Sequence, residues 1–320
     1  MLTKGVTLRG LEVFEALASS GSVAQASART GLSQPAVSQQ LRNLEQALGT
    51  DLVDHARRPM SLTPAGEGFL VRAKAALSQL RLAQTELTVV DLAHLSALSI
   101  GIIDDFDDNL TPRLATILAD SMSRCRFKMI TASSNELLAA MDEQRLHLAI
   151  SASTGQVIDG VLEYPLARDP FILVVPRSAV VTEETMRDPA GLPFLRYERE
   201  QLISRQIEAH LAREKIVLPD RFEIGSHLAL MAMVARGIGW AITTPLGYMR
   251  AARFHDQMEA HPLPSGGFSR QISLFAGADR TGEVADTIAR TMRGLIQSHM
   301  VDPALARLPR LAGELKVLEG

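Results

Sequence analysis

Four polar side chains recur at a spacing that suits the reading of base edges in DNA, namely Gln34, Ser38, Gln39 and Arg42. Positions i, i+4, i+5 and i+8 of a helix lie roughly on one face. From such a face, glutamine can pair with adenine N6 and N7, arginine with guanine O6 and N7, and serine with a base or a phosphate. A solvated helix face has the same composition, so this pattern alone leaves both interpretations open.

The elements around this face are predicted by helical periodicity and capping residues. A first helix carries apolar residues at helical spacing, which are Leu8, Leu11, Phe14 and Leu17. A second helix, Val23 to Arg29, follows Ser22 as its N-cap, and a third begins after the N-cap Ser33. Pro35 falls in the first turn of the third helix, where a missing N–H costs nothing and the ring can press on a thymine methyl. The third helix stops at Gly49, and the short turn between the last two helices predicts a helix-turn-helix.

The segment after the third helix predicts a wing and a long linker helix. Residues 51–66, DLVDHARRPMSLTPAG, place an arginine pair and a proline between two short apolar stretches, which indicates a two-stranded hairpin. Arg57 and Arg58 in this hairpin can neutralise phosphates or enter a minor groove, or they are simply its polar tip. From Thr63 to about Leu92 a narrow apolar stripe predicts a helix that needs a partner helix, and hence a homodimer. The members of this stripe are Phe69, Leu70, Ala73, Leu77, Leu80 and Leu87.

The charge balance excludes a protein that coats nucleic acid by bulk electrostatics. The formal net charge of the 320 residues is −3, and the pI is about 6.3. Residues 1–90 hold nine Lys and Arg against seven Asp and Glu, a net of +2, which leaves −5 for the remainder. Because this local excess of positive charge is small, useful affinity for DNA is expected to need two or more N-terminal domains bound together.

Other residue classes limit the location and the chemistry of the chain. The single cysteine, Cys125, excludes an intrachain disulfide framework and a CxxC zinc site, and it favours a reducing cytoplasm. The N-terminal residues lack a signal-peptide pattern and no run of ~18 apolar residues follows, so neither a secreted nor a membrane-spanning protein is expected. No HExxH, GxSxG or P-loop motif occurs, so no metal, no cofactor and no catalytic centre are expected.

Beyond Ala93, short β-like runs alternate with helical stretches, which predicts two α/β lobes. LSALSIGII, RFKMIT and LHLAIS alternate with helices from Thr111 and Ser134, a βαβαβ pattern with a parallel sheet. A second such unit runs from FILVVP to GWAITTP, before QISLFAG and a final helix from Glu283 to His299. The predicted domains are residues 1–62, 63–92 and 93–320, the last with a first lobe of about 93–166 and 269–320 and a second of about 167–268.

The order and spacing of SQPAVS, LRNLE, LG and LTPAG carry a family resemblance. The segment from Leu8 to Gly66 closely resembles the DNA-binding domain of LysR-type transcriptional regulators, and the similarity spans essentially the whole chain. The departures are modest, with Val53, His55, Ala24 and Thr30 standing where the family usually has Phe, Arg, Thr and Leu. On this resemblance the DNA-binding residues are Ser33, Gln34, Pro35, Ser38, Gln39, Arg42, Arg57 and Arg58.

The resemblance also implies a fold and a set of partners. The implied fold class is an α+β N-terminal winged helix-turn-helix with a long linker helix, followed by a C-terminal two-lobed α/β effector domain like a periplasmic binding protein. The implied partners are double-stranded promoter DNA, a small-molecule effector in the cleft, and further copies of the chain, commonly in a homotetramer. No membrane partner is expected.

Candidate effector contacts follow from the rule that ligands of two-lobed α/β domains bind where strand ends and helix N-termini converge. In the first lobe they are Asp104, Asp105, Phe106, Ser133, Ser134, Asn135, Ser151 and Ser153. In the second lobe they are Tyr197, Arg199, Ser226, His227 and Thr244. Ser134 and Ser226 can equally be ordinary N-caps.

The run DDFDDN at 104–109 bears on the class of effector. Four carboxylates in six positions would repel a purely anionic ligand, which favours an amine, a guanidinium or a zwitterion, with Arg196 or Arg199 for a carboxylate. A solvated acidic loop at a helix N-terminus explains the same run, so the effector stays open. The alternative for the whole chain is a small-molecule binding or catalytic α/β protein whose N-terminal helices merely dimerise it.

Overall fold

The computed structural model describes residues 5–57, 60–88, 96–179, 191–263, 267–277 and 282–319. The chain divides into two compact units, Met1–Gln84 and Thr85–Gly320. The boundary falls inside the predicted linker helix, so the first unit contains most of that helix as well as the predicted winged domain. Among the helices described, none has the length and apolarity needed to cross a bilayer.

The first unit begins with three helices, α1 (Leu8–Ser20), α2 (Val23–Thr30) and α3 (Gln34–Leu48). Each starts at a hydroxyl N-cap whose side chain accepts a backbone N–H, and each ends at a left-handed glycine. The caps are Thr7, Ser22 and Ser33, and the glycines are Gly21, Gly31 and Gly49. The predicted second and third helices therefore have the expected starts and stops.

The core of this unit is made by the inward faces of the three helices. Leu11, Phe14 and Leu17 of α1 are buried, whereas Leu8 in the first turn is 52% exposed and contributes little. Val37 and Leu41 of α3 are also buried in this core. Burial of the opposite face of α3 leaves the polar face free for other contacts.

A two-stranded wing follows, as predicted. Strands β1 (Val53–Asp54) and β2 (Ser61–Leu62) pair antiparallel, and the helix α4 (Pro64–Thr88) begins directly afterwards. A Cβ atom on Gly66 would lie 1.9 Å from the carbonyl oxygen of Leu52, so only glycine fits at position 66 in the first turn of α4. The predicted continuation of this helix to about residue 92 lies outside the described residues.

The apolar stripe of α4 is used in part by the unit itself. Ala73 and Leu77 are each 3% exposed and belong to the core of the first unit, and Phe69 and Leu70 pack against it. Leu80 is 41% exposed. The side chain of the remaining stripe member, Leu87, lies outside the part of the chain that the structure describes. Among the described side chains of the stripe, Leu80 is therefore the one that this unit leaves exposed.

The second unit is built from α/β elements in two lobes. Its strands are β3 (Ala97–Ile102), β4 (Arg126–Thr131), β5 (Leu148–Ala152), β6 (Val161–Pro170), β7 (Ile172–Pro176), β8 (Leu195–Tyr197), β9 (Phe222–Ile224), β10 (Ala241–Thr243), β11 (Met258–Pro262), β12 (Ser269–Gly277) and β13 (Lys316–Val317). Its helices are α5 (Leu110–Ser121), α6 (Ser134–Asp142), α7 (Leu202–Arg213), α8 (His227–Ala235), α9 (Pro245–Arg250), α10 (Gly282–Ile296) and α11 (Asp302–Arg307). A π-helical turn, Gln297–Val301, joins the last two helices.

The first lobe contains a six-stranded sheet with the order β13-β6-β12-β5-β3-β4. Strand β3 pairs parallel with both β4 and β5, which confirms the predicted βαβαβ unit. The long strand β6 was not predicted, because Pro165 and several charged residues interrupt its apolar pattern. It pairs antiparallel with β12, and together they carry the chain between the lobes.

The second lobe differs from the predicted parallel sheet. Its central strand β7 pairs antiparallel with β10 and β11, and among the residues described in this lobe only β8 and β9 form a regular parallel pair. A single parallel bridge between Phe194 and Trp240 joins the two groups of strands. Because all five residues of β7 are buried, its unbroken apolar run gives no sign of strand direction.

Candidate functional site

The residues predicted to contact DNA lie together on the outer face of α3. Ser33, Gln34, Pro35, Gln39 and Arg42 are exposed, and the neighbouring Ser38 is half-buried. The amide of Gln39 is held on both sides, because its Nε2 donates to Asn43 Oδ1 at 2.8 Å and its Oε1 accepts from Arg42 at 3.0 Å. The side chains of Gln39, Arg42 and Asn43 are therefore linked in one hydrogen-bonded row on this face.

The wing contributes a further cation. Arg57 is 73% exposed and its Nε lies 3.2 Å from Asp54 Oδ2, so its guanidinium already shares one carboxylate of the wing. Arg58, the other predicted wing contact, lies outside the described residues. The wing is also tied to α3 through a residue that sequence reasoning missed.

That residue is Glu45, which is buried on α3. Its Oε1 accepts from the backbone N–H of Leu52 at 2.8 Å and of Val53 at 3.2 Å, and its Oε2 lies 3.0 Å from His55 Nε2. Atoms of Glu45, Asp51 and His55 come within 4.8 Å of one another, a set of potential metal ligands that no sequence motif indicated. The hydrogen bonds fix the first wing strand to the helix that carries the DNA-facing residues. A signal was present, since Glu45 stands four residues after Leu41, on the apolar face.

The second unit contains a cavity of about 530 Å³ between the two lobes. Seven of the predicted effector contacts line it: Asp104, Asp105, Ser133, Ser134, Asn135, Tyr197 and His227. Further lining residues that the sequence did not single out include Glu136, Glu198, Glu200, Gln201 and Arg270. Strand ends and the N-terminus of α6 thus meet at one site, as the geometric rule predicts.

The structure places the other six predicted contacts away from the lining. Phe106 and Ser151 are completely buried, and Ser153 is buried beside β12. Thr244 is buried behind Arg270, and Ser226 caps α8 next to the lining residues. The last one, Arg199, points its 63% exposed side chain to Asp220 and Glu223, so it has carboxylate partners outside the cavity.

Arg270 is the polar centre of the cavity floor. Its guanidinium, 4% exposed, donates to Asp105 at 2.8 Å, to Asp169 at 2.9 Å and to Thr244 Oγ1 at 3.0 Å. Burial alone would raise the pKa of Asp105, but the charge of Arg270 outweighs it and holds that pKa below its ordinary value. Asp169 is completely buried, and burial raises its pKa to about 6 in spite of the same guanidinium.

A second arginine neutralises the acidic run at the rim. Arg250 of α9 donates to both carboxylate oxygens of Asp107, at 3.1 and 2.8 Å, and to Asp104 at 2.8 Å. Burial and the neighbouring Asp105 raise the pKa of Asp104 to about 6. Two of the four carboxylates of the run are therefore engaged in ion pairs with the second lobe, and a third, Asp105, pairs with Arg270 of the first lobe.

A hydrogen-bonded chain of three residues forms one wall. Tyr197 Oη lies 2.7 Å from His227 Nδ1 and 2.7 Å from Thr243 Oγ1, and His227 Nε2 lies 2.7 Å from the carbonyl oxygen of Gly247. Burial lowers the pKa of His227 and raises that of Tyr197, so both rings are neutral. Since a carbonyl can only accept, Nε2 carries the proton and Nδ1 accepts from tyrosine.

The lip of the cavity is closed by Asn135 at the start of α6. Its Nδ2 donates to the carbonyl of Glu200, and its Oδ1 accepts from Arg205 at 2.6 Å. Beside it, Ser133 and Glu136 form a capping box, in which the Glu136 carboxylate accepts from the Ser133 N–H at 2.9 Å. These hydrogen bonds from Ser133 lower the pKa of Glu136, so a carboxylate already occupies the N-terminus of this helix.

A winged helix-turn-helix with an exposed polar recognition face, followed by two α/β lobes around a polar cavity, defines a DNA-binding transcriptional regulator with an effector-binding domain. The chain belongs to the LysR family of bacterial regulators. The model of the bacterial regulatory helix-turn-helix protein, LysR family, matches residues 8–67, and that of the LysR substrate binding domain matches residues 94–301. This assignment confirms the resemblance and the predicted fold class, and it makes the catalytic alternative wrong.

The similar proteins are transcriptional regulators, and the match covers most of the length of each. The chain is 27% identical to a probable hydrogen peroxide-inducible genes activator of Streptomyces viridosporus, over 90% of this chain and 95% of that protein. It is 27% identical to the HTH-type transcriptional regulator BbuR of Bordetella bronchiseptica, over 85% and 84% of the two chains. These relatives are regulators and not enzymes.

Solved structures show the same fold. A cysteine variant of Corynebacterium glutamicum OxyR with hydrogen peroxide bound aligns with a TM-score of 0.55 at 20% identity, covering 97% of each chain. Full-length BenM aligns with a TM-score of 0.50 at 18% identity, over 91% of this chain and 97% of that one. At these identities the likeness concerns the fold.

Proposed function

We propose that this regulator reads promoter DNA with the outer face of α3 and the wing, and responds to a small cationic or zwitterionic effector in the cavity between its lobes. It acts as a homodimer through α4 and as a homotetramer on DNA, in the cytoplasm where the promoter is found. The observation that carries the effector class is the charge of the cavity lining.

Carboxylates dominate that lining. They belong to Asp104, Asp105, Glu136, Glu198 and Glu200. Among the described lining residues the one guanidinium is that of Arg270, and it is already shared by two buried carboxylates. Asp104 and Asp105 are paired with arginines, so the excess negative charge of the lining comes from Glu136, Glu198 and Glu200. This charge disfavours an anionic ligand, whereas an ammonium or guanidinium group gains charge-assisted hydrogen bonds.

The N-terminus of α6 could attract an anion, but a carboxylate of the protein already lies there, and this supports the same proposal. Glu136 supplies negative charge to the first turn of α6, which offsets the helix dipole that a ligand carboxylate would otherwise use. Neither Arg196 nor Arg199 lines the cavity, since Arg196 pairs with Glu208 and Arg199 with Asp220. A zwitterionic effector would therefore bind through its cationic end.

The effector class can be tested by thermal unfolding of the full-length protein, followed by the fluorescence of its single tryptophan, Trp240. Amines, guanidines and amino acids are compared with dicarboxylates of equal length. A ligand at about 100 times its Kd should stabilise the effector-binding unit by ~2.7 kcal/mol. The double variant Glu198→Gln, Glu200→Gln should abolish the shift, and the exposed Glu143→Gln should keep it. Stabilisation by anions alone would overturn the effector class and leave the regulator intact.

The DNA-reading face can be tested by binding to the promoter nearest to the gene. Removing two base contacts of about 1–3 kcal/mol each predicts that Gln39→Ala with Arg42→Ala weakens specific binding by roughly 30-fold or more. Arg145→Ala is a control with the same change of charge, because Arg145 is 60% exposed and pairs only locally with Glu143. Equal losses in both variants would show that the effect is bulk charge and not recognition.

We propose further that the effector acts on the closure of the two lobes. Asn135 and the Arg250 ion pairs join the lobes across the cavity, so a ligand seated among them binds one lobe arrangement better than another. The change passes to the geometry of the oligomer and to the bend of the DNA. A footprint and bend angle that do not change at saturating effector would contradict this mechanism.

The sequence does not favour a peroxide response like the one for which the Streptomyces relative is named. Cys125 has no second cysteine in the sequence for an intrachain disulfide, and burial raises the pKa of its thiol, which disfavours the reactive thiolate.

A further inference from the structure

A second cavity, of about 250 Å³, lies between the edge strand β11 and the C-terminal segment Arg307–Leu311. We call it the C-terminal pocket. None of its lining residues lines the cavity between the lobes. The proposed effector therefore does not account for it.

The walls of the C-terminal pocket are mostly apolar. They are formed by Ile172, Ala260, Pro262, Leu308, Pro309 and Leu311. Ile172 is 1% exposed and Leu311 4% exposed, so the floor is fixed by side chains that are part of the packed interior. An engineered apolar cavity of about 150 Å³ is large enough to hold benzene, so this one has room for one ring and a small substituent.

The polar groups at this pocket are basic. Arg307 and Arg310 line it together with His261, and no carboxylate is among the described lining residues. Arg307 makes only long contacts of 3.4 Å, to Tyr248 Oη and to the carbonyl of His255. Arg310 is exposed, and within the described ranges it has no hydrogen bond or ion pair. In a chain of net charge −3, two weakly engaged guanidinium groups at an apolar pocket suit an anion.

One ring nitrogen of His261, in the wall of the C-terminal pocket, lacks a hydrogen bond. The Nε2 atom of His261 is buried and has no hydrogen-bond partner. Glu259 Oε2 lies 3.6 Å from this nitrogen, which is too far for a hydrogen bond but within ion-pair distance when the ring is protonated. Because this nitrogen is buried, recognition of an anion at the pocket depends on the guanidinium groups of Arg307 and Arg310.

We infer that the C-terminal pocket binds a small monocarboxylate with an apolar body the size of one aromatic ring. The body would pack on Ile172, Leu308 and Leu311, and the carboxylate would accept from Arg310 and Arg307. This is the opposite charge class from the ligand proposed for the cavity between the lobes. A regulator built in this way would respond to two metabolites of different chemistry.

The test uses the full-length protein with benzoate as the probe, measured by isothermal titration calorimetry. A ligand of nine heavy atoms is expected to bind one site per chain with a Kd of about 0.1–10 mM. Benzylamine, of similar size and opposite charge, should bind at least about tenfold more weakly at this site. Absence of saturable benzoate binding would overturn the proposal.

Variants locate the bound benzoate. Arg310→Gln removes an exposed side chain without disturbing the core, and it should weaken binding about tenfold, the loss of one charge-assisted hydrogen bond. Lys316→Gln makes the same change of charge at an exposed site outside the pocket and should stay within about twofold of the natural chain. Binding that is unchanged in Arg310→Gln but lost in Asn135→Ala would place benzoate between the lobes and refute the inference.

Discussion

Replacement of Arg270 by Met is expected to destabilise the effector-binding unit strongly, because this side chain neutralises two carboxylates in a nearly dry site. Arg270 is 4% exposed, and its partners Asp105 and Asp169 are 9% and 0% exposed. Methionine has a similar reach and fills much of the same volume, so the variant removes charge and hydrogen bonds more than packing.

The magnitude follows from the cost of leaving a buried charge without its partner, about 3–5 kcal/mol. For a domain of this size, 1 kcal/mol corresponds to ~2–4 °C of melting temperature, so Arg270→Met should lower Tm by roughly 6–20 °C. Loss of the guanidinium also raises the pKa of both carboxylates. A folded-state pKa above the unfolded value gives stability that is lost as pH rises, so the defect should be larger at pH 8 than at pH 5.

The assay is thermal unfolding at pH 5 and pH 8, followed by the fluorescence of Trp240. Arg290→Met is the control, because Arg290 pairs with Asp286 where both side chains are about half exposed, and it should change Tm by less than ~2 °C. An Arg270→Met protein with the Tm of the control at both pH values would refute the idea that this guanidinium neutralises the cavity floor.

Three further predictions concern single side chains. Gly66→Ala should unfold the DNA-binding unit locally and weaken promoter binding, since the new Cβ would collide with the Leu52 carbonyl, and amide hydrogen exchange would detect the loosening. Glu45→Ala should destabilise the same unit by about 2–6 kcal/mol, because it leaves the N–H groups of Leu52 and Val53 without their acceptor, whereas Glu45→Gln keeps that acceptor and should lose less by denaturant unfolding. Burial raises the pKa of Asp169 to about 6, so this residue should contribute up to about 3 kcal/mol of stability at pH 4 that is lost by pH 7. In Asp169→Asn, the free energy of unfolding should depend less on pH between these two values.

The DNA-binding unit could be predicted closely because its signals are local. Ser22 and Ser33 cap helices within three residues of the N–H groups that they accept, and Gly49 ends α3 one residue after the last helical position. The wing and the start of α4 follow from the segment DLVDHARRPMSLTPAG in the same way. Local sequence thus determines nearly every element of this unit.

The effector cavity could be predicted only in part, because its polar centre joins distant parts of the chain. Arg270 contacts Asp105 across 165 residues, and nothing near Arg270 in the sequence indicates a buried ion pair. Two residues of the acidic run, Asp104 and Asp105, line the cavity, but the sequence could not show that Arg250 pairs with the carboxylates of Asp104 and Asp107. The strand ends were predictable from periodicity, whereas the pairing of charges across them depends on tertiary structure.

The burial of Ala73 and Leu77 has a practical consequence for exchanging DNA-binding specificity among related regulators. A chimera joined at residue 63, where the helix-turn-helix and wing end, would replace one wall of the donor's core by the recipient's helix, whose side chains are not matched to Phe14 and its neighbours. A junction after residue 84 transfers that wall with the head. DNA-binding units grafted at the junction after residue 84 should stay soluble and active, and those grafted at residue 63 should aggregate.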